Sequence, residues 1–177
     1  MNGLERYRMF AGYNAWANER IYEAAAKLSD VDYRADRGAF FKSVHGTLNH
    51  MLVADRIWMR RFTGDGPAAT QLDAILFEDI VPLREARHAE DRRIIEYVDS
   101  LDAEKLSRDF IYRTITNPTT IVQKLAPALD HFFNHHAHHR GQAHCLLTAL
   151  GGRDFAPSLD LILFQRKTGI GLTKTMP

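Results

Sequence analysis

The chain has 177 residues, 45% of them hydrophobic and 25% charged, which predicts one globular domain over residues 1–177 with an appended tail from about 151. The formal net charge of +1 provides no basic surface, so nucleic acid is not expected as the main partner. One cysteine excludes an intramolecular disulfide and fits a reducing compartment. The sequence shows neither a signal peptide nor an apolar run of about 18 residues, so we expect a cytoplasmic protein without a membrane partner.

Two amphipathic helices are predicted in the first third of the chain. The first runs from Leu4 to Leu28, where apolar residues recur at threes and fours, and a polar connection follows. The second runs from about Phe40 or Ser43 to Phe62 and ends at the breaker TGDGP. Its apolar residues extend round more than one side, which predicts burial on several faces.

The middle of the chain changes in character. Residues 68–77 are predicted to form a loop, and Asp79 to Ser100 a third helix with REARHAEDRR as its solvated face. Residues 101–122 are rich in strand-forming side chains around an Asn-Pro turn, which indicates two short strands or an extended excursion.

A long last helix completes the predicted fold. It runs from about Gln123 to Leu150 and ends at two glycines. The tail beyond it contains one apolar piece, LDLILF, which can pack on the helices or on a second subunit. Four long helices with one short hairpin or extended insertion predict an all-α fold, an antiparallel four-helix bundle, in whose core facing helices build metal sites.

Histidines are concentrated in the last helix, in the stretch LDHFFNHHAHHRGQ at residues 129–142. His135 and His139 are four residues apart, so their side chains lie about 40° apart on a helix, and both turn toward its apolar stripe. His131 and His138 turn toward its edge or the solvent. Such a pair can bind one divalent ion with a third ligand from another helix. Spacing alone leaves open the alternative that both are polar core residues.

The second helix contributes three further candidates. It contains His45 and His50, and periodicity does not choose between them as the third ligand. Asp55 falls inside the apolar stripe, so a buried carboxylate is expected there. This carboxylate can be a hydrogen-bonded structural residue or can orient a ligand imidazole.

Three stretches together resemble the DinB/YfiT family of small four-helix-bundle metal-dependent proteins: YNAWANERI, SVHGTLNHMLVADRIWMRRF and LDHFFNHHAHHRGQ. The resemblance implies a three-histidine site for a divalent metal, usually zinc or nickel. Carried onto the matching positions, the ligands are His50, His135 and His139. The choice of His50 depends on the resemblance alone, with His45 as the fallback.

Three imidazoles leave a coordination position where a metal lowers the pKa of a water or stabilises a thiolate. The chain has no H-E-x-x-H motif, so His45, His136 or Asp55 must supply any general base, and the choice among them stays open. Family members of known activity imply a homodimeric enzyme that activates a small-molecule thiol or water, as a transferase, isomerase or hydrolase. Two alternatives are a non-catalytic, possibly stress-related metal-binding module and a helical bundle whose histidines are only polar core residues.

Overall fold

A computed structural model describes residues 2–174, which are mostly helical with one small antiparallel sheet. The elements in chain order are α1 Gly3–Ala25, α2 Asp30–Arg34, α3 Val44–Thr63, α4 Ile80–Asp99, α5 Ala103–Ser107, β1 Asp109–Arg113, β2 Thr120–Lys124, α6 Leu125–Gly151 and α7 Leu161–Thr168. None of the helices within this range is long and apolar enough to cross a membrane.

The four long helices α1, α3, α4 and α6 contact one another in a ring, because α1 packs on α4 and α6, and α3 packs on the same two. Tyr7 near the start of α1 donates a hydrogen bond to Ala126 near the start of α6, so these helices run in parallel. Arg8 near the start of α1 pairs with Asp99 at the end of α4, so these two are antiparallel. The predicted antiparallel arrangement is therefore wrong for α1 and α6, because the segment 64–79 returns the chain along the core, so that α4 runs parallel to α3.

Two apolar clusters fill the two ends of this helical core. One includes Tyr22, Leu48 and Leu147, and the other includes Tyr7, Met59 and Phe132, each at most 1% exposed. Buried polar side chains occupy the level between the clusters: Asn14, Asn18, Asp55, Arg87, Asp91, His136 and Arg140. Every long helix therefore contributes a polar residue near its middle.

The predicted long helices are present, with ends within about three residues of those expected. Ser43 caps α3 by accepting a hydrogen bond from the Gly46 amide, and Gly64 ends it with the positive φ of 78° that glycine tolerates. The insertion before the last long helix is a hairpin, because β1 and β2 pair along their whole length.

Three short helices were not predicted. The α2 helix lies in the expected polar connection, where Ser29 accepts a hydrogen bond from the Asp32 amide and so caps it. The α5 helix precedes the strands, within the segment predicted to be extended, and the apolar tail piece forms α7. Phe164 of α7 is buried against Tyr13 and Trp16 of α1, so this piece packs on the helical core of its own chain.

The predicted solvated face of the third helix is wrong for three of its charged residues. Arg87 is 0% exposed, Asp91 4% and Glu90 5%, whereas the apolar residue Val81 is 65% exposed. The charges are buried because the neighbouring helix α3 presents Asp55, whose carboxylate neutralises Arg87 at 2.5 Å. Asp55 lies on another helix, so the charge pattern of α4 alone could not predict that Arg87 is buried.

Candidate metal centre

Three histidines from two helices meet at one point. His50 of α3 and His135 and His139 of α6 bring one ring nitrogen each to within 4.8 Å of the other two. The His139 Nε2 atom lies 3.2 Å from the His50 Nε2 atom and 3.1 Å from the His135 Nε2 atom. These are the three residues selected above, and they form the one such group of potential ligands within residues 2–174.

The hydrogen bonds of the outer nitrogens determine which way the lone pairs point. The Nδ1 atom of His50 lies 2.7 Å from the Leu72 carbonyl oxygen, which can only accept, so this nitrogen carries the proton. The Nδ1 atom of His139 lies 2.8 Å from the Gln142 Oε1 atom and donates in the same way. The Nε2 atoms of His50 and His139 in the neutral rings are therefore both unprotonated, and two lone pairs face each other.

Facing lone pairs repel unless a cation lies between them. Ligands around a tetrahedral zinc ion at about 2.0–2.1 Å are about 3.3 Å apart, which matches the two Nε2 separations. A backbone carbonyl such as that of Leu72 is a usual partner of metal-binding imidazoles, and the Gln142 amide oxygen accepts from His139 in the same way. The residues present thus fit a divalent metal ion held through three nitrogen atoms.

All three imidazoles are neutral at physiological pH. Burial lowers the pKa of His135 to about 3, and the neighbouring His139 adds to the shift. Burial likewise lowers the pKa of His139 to about 4, and it also lowers the pKa of His50. Neutral imidazole is the form that binds a metal, so no proton has to leave before coordination near pH 7.

Three neighbours of the centre were missed by sequence reasoning. The Phe41 ring stacks on the His50 ring with centroids 3.7 Å apart, and Leu72 and Gln142 accept the two outer hydrogen bonds. Gln142 follows His139 by three residues, a spacing that places both on one face of a helix and was the available signal. Phe41 was included in the apolar stripe of the second predicted helix but lies just before α3, and Leu72 lies in the loop before α4, where no periodicity points to it.

The fallback ligand His45 lies outside the group of three. Its Nε2 atom is 3.0 Å from the Phe77 carbonyl oxygen, and its ring packs edge-on against Tyr33 at a centroid distance of 5.1 Å. His45 therefore helps to hold the segment before α4 against α3.

The other two candidate bases, His136 and Asp55, are both 1% exposed and contact each other through His136 Nε2 and Asp55 Oδ1. Burial alone raises the pKa of Asp55, but the contact with His136 and the charge of Arg87 outweigh this effect and hold it below its usual value. Asp55 is thus an ionised structural carboxylate, and its imidazole partner is not one of the three convergent histidines.

The contact between His136 and Asp55 belongs to a larger buried network. Arg87 bridges Asp55 and Asp91, at 2.5 Å and 3.0 Å, and Asp91 accepts a 2.9 Å hydrogen bond from Asn18. Arg140 donates to the side-chain oxygens of Asn14 and Asn18. The network links α1, α3, α4 and α6.

A cavity of about 590 Å³ opens beside the three histidines, and His50 and His135 form part of its wall. Other walls come from α3, from His131 of α6 and from the turn between β1 and β2. The His131 ring lies between those of Trp58 and His135, at centroid distances of 5.1 and 5.8 Å. The candidate centre is therefore accessible to a molecule in the cavity.

Comparison of the sequence with known proteins identifies the family of this chain. The sequence pattern of the DinB family matches residues 2–170. The chain is also 29% identical over 166 residues to the Protein DinB of Bacillus subtilis (strain 168), an alignment that covers 88% of this chain and 92% of that protein. The resemblance noted in the sequence is confirmed, and the chain belongs to the DinB family.

Proposed function

We propose that the protein is a metal-dependent enzyme whose divalent ion is held by His50, His135 and His139. The supporting observation is the pair of unprotonated Nε2 atoms that face each other at 3.2 Å, an arrangement that a cation stabilises. Nitrogen-only ligands suit zinc or nickel better than magnesium or calcium, which prefer oxygen.

The open side of the centre favours a catalytic role over a purely structural one. No fourth histidine, cysteine or carboxylate joins the three ligands within residues 2–174, and catalytic zinc sites characteristically have three protein ligands. A metal bound by these three residues would supply a positive charge that stabilises the deprotonated form of a thiol or a water. The adjoining cavity admits a small-molecule substrate, for which a low-molecular-weight thiol is our first choice.

His131 is the best-placed group to accept a proton from such a substrate. It lines the cavity one helical turn before His135, and partial desolvation together with the charge of Arg61 lowers its pKa, so the ring is unprotonated near pH 7 and can accept a proton. The alternatives His136 and Asp55 face each other in the helical core, and His45 bonds to a carbonyl group elsewhere.

A non-catalytic metal-binding module is the second candidate function. The three histidines join α3 to α6, so a bound ion would link the two helices even without a reaction. This candidate predicts that metal removal lowers the free energy of unfolding and abolishes no activity.

Metal stoichiometry of untagged protein tests the proposed site. We expect about one zinc or nickel ion per chain, lost in His50→Ala, His135→Ala and His139→Ala and retained in His138→Ala, whose ring is exposed on the same helix. An equal loss in all four variants, or no stoichiometric metal in the parent protein, contradicts the site.

Turnover separates the two candidate functions. A panel of small thiols with electrophiles, and of hydrolysable esters, should show turnover that depends on the metal and is lost in His139→Ala. Metal-dependent stability without metal-dependent turnover on any substrate would favour the non-catalytic module.

The family resemblance suggests the wider setting of this function. We interpret the ring of long helices as a four-helix bundle in a single domain, and we expect a cytoplasmic homodimer that acts on small molecules and not on nucleic acid or membranes. Sedimentation and cell fractionation test the dimer and the location.

A further inference from the structure

The cavity beside the candidate metal centre contains a positive charge without a carboxylate partner. Arg61 of α3 lines it, and the Arg61 guanidinium carbon lies 4.7 Å from the ring centre of Trp58 and 4.9 Å from that of Tyr112. Its Nη2 atom donates to the Arg113 carbonyl oxygen at 3.1 Å. No carboxylate within residues 2–174 forms an ion pair with Arg61 or shifts its pKa.

Several other partly or fully buried arginines pair with a carboxylate, and the buried Arg140 bonds instead to the side-chain oxygens of Asn14 and Asn18. Arg87 pairs with Asp55, Arg93 with Glu90, and Arg34 with Glu78. Burial lowers the pKa of Arg61, because the guanidinium loses water without gaining an anion. A desolvated cation of this kind is stabilised when a ligand supplies the missing negative charge.

The rest of the cavity indicates what carries that charge. Ala54, Ile57 and Trp58 of α3 and Ile115 of the hairpin turn provide apolar walls. The volume of about 590 Å³ is typical of sites for small organic molecules. A single guanidinium fork matches one carboxylate through two parallel hydrogen bonds. The complementary ligand is therefore an organic monoanion with an apolar body.

The cavity also connects this cation to the candidate metal centre. Arg61 follows His50 by eleven residues on α3, which is about 16 Å along the helix axis. Between Arg61 and His135, the cavity wall is formed by the rings of Trp58 and His131, each in contact with the next. A ligand that reaches from one end to the other contacts both apolar and histidine surfaces.

We propose that the cavity binds a small organic carboxylate whose carboxylate group pairs with Arg61 and whose apolar body lies on Trp58, with its other end toward His135. As a statement about substrate class, this proposal depends on the proposed function. The anion site itself does not require the metal, so the two can be tested apart.

Calorimetry with 4-phenylbutyrate and its uncharged counterpart 4-phenylbutanol tests the site in phosphate-free buffer, on both metal-free and zinc-treated protein. In the parent protein the acid should bind at least about tenfold more tightly than the alcohol. Arg61→Gln should remove this preference. Arg61→Lys should retain part of it, because lysine keeps the charge but loses the fork.

The matched control is Arg60→Gln, which removes an exposed charge from the adjacent position of α3 and should leave the preference unchanged. Equal binding of acid and alcohol, no binding of either at millimolar concentration, or the same loss in Arg60→Gln overturns the proposal. If Arg61→Gln fails to fold, the test depends on Arg61→Lys. A preference for the acid over the alcohol as large in Arg61→Lys as in the parent protein would overturn the pairing of the carboxylate with Arg61 through two hydrogen bonds.

The zinc stoichiometry of the same samples distinguishes failure of the anion site from failure of the proposed metal-dependent function. A preference for the acid that depends on Arg61, without stoichiometric zinc, rejects the metal-dependent function and supports the anion site. Stoichiometric zinc in all four proteins, without any preference for the acid, overturns the anion site and leaves the metal centre intact.

Discussion

Two clusters of polar side chains share the helices α3 and α6 but differ in how their charges and lone pairs are matched. In the buried network, the Arg87 cation pairs with the carboxylates of Asp55 and Asp91, so opposite charges neutralise one another. In the candidate metal centre, His50 and His139 meet with two lone pairs and no acidic group. The comparison teaches that burial of a histidine says little about function until its partners are known.

The network should be the more costly of the two clusters to break. Arg87→Ala leaves Asp55 and Asp91 as buried carboxylates without their common partner, so we expect a loss of about 3–5 kcal/mol in the free energy of unfolding. Urea denaturation of metal-free protein measures it. Arg84→Ala is the control, because its pair with Glu23 is partly exposed and should contribute at most about 1 kcal/mol. Similar losses in both variants would contradict a special role for the buried network.

Acid should weaken the metal-free protein through the candidate centre. His135 and His139 have folded-state pKa values of about 3 and about 4, below the ordinary 6.5, so the unfolded chain binds more protons in between. Stability is then full above pH 6.5 and falls as the pH drops toward 4. The His135 ring is partly solvated, which weakens its contribution, and we expect a total loss of about 2 kcal/mol between pH 7 and pH 5.

Denaturation curves at several pH values measure this loss. In the double variant His135→Ala/His139→Ala, the free energy of unfolding should decline less steeply as the pH falls. In His138→Ala it should decline as in the parent protein. Because the pKa values of His50 and His136 are lowered too, acid also costs stability at these residues. The double variant should therefore still lose some stability as the pH falls. A double variant as acid-sensitive as the parent would show that the decline comes from elsewhere.

The outer hydrogen bonds should matter for the metal but not for the fold. Gln142→Ala removes the acceptor that orients His139, so we expect metal affinity to fall about 10- to 100-fold, with little change in metal-free stability. Competition with a chromophoric chelator measures the affinity. Gln142 also contacts His138 at 3.2 Å, so His138→Ala serves as the control and should bind metal normally.

The smallest expected effect concerns the start of α3, which contributes His50 to the candidate metal centre and Asp55 to the buried network. Ser43→Ala removes the cap of α3, and we expect a loss of about 1 kcal/mol in the free energy of unfolding. Because the cap lies at the end of α3, metal stoichiometry should stay at that of the parent protein. Loss of the metal in this variant would indicate that the centre depends on the fine position of α3.

Local spacing was enough to predict part of the candidate centre. His135 and His139 could be paired from the sequence because four residues make about one helical turn, a relation that holds wherever the helix lies. His50 lies 85 positions before His135, and only the family resemblance selected it over His45. The hairpin was also foreseeable, because its strand-forming residues flank an Asn-Pro turn.

The sequence by itself determined the helical class, the long helices and the inward pair on α6, because these follow from short-range periodicity and helix-breaking residues. Only the tertiary structure decided that Arg87 is buried, that Asp55 pairs with His136, and that Leu72 orients His50. Each of these facts requires a partner from a distant part of the chain. Whether a polar side chain is desolvated and paired depends on which side chains and carbonyl groups of a neighbouring element face it. The spacing of residues along one helix does not encode those neighbours.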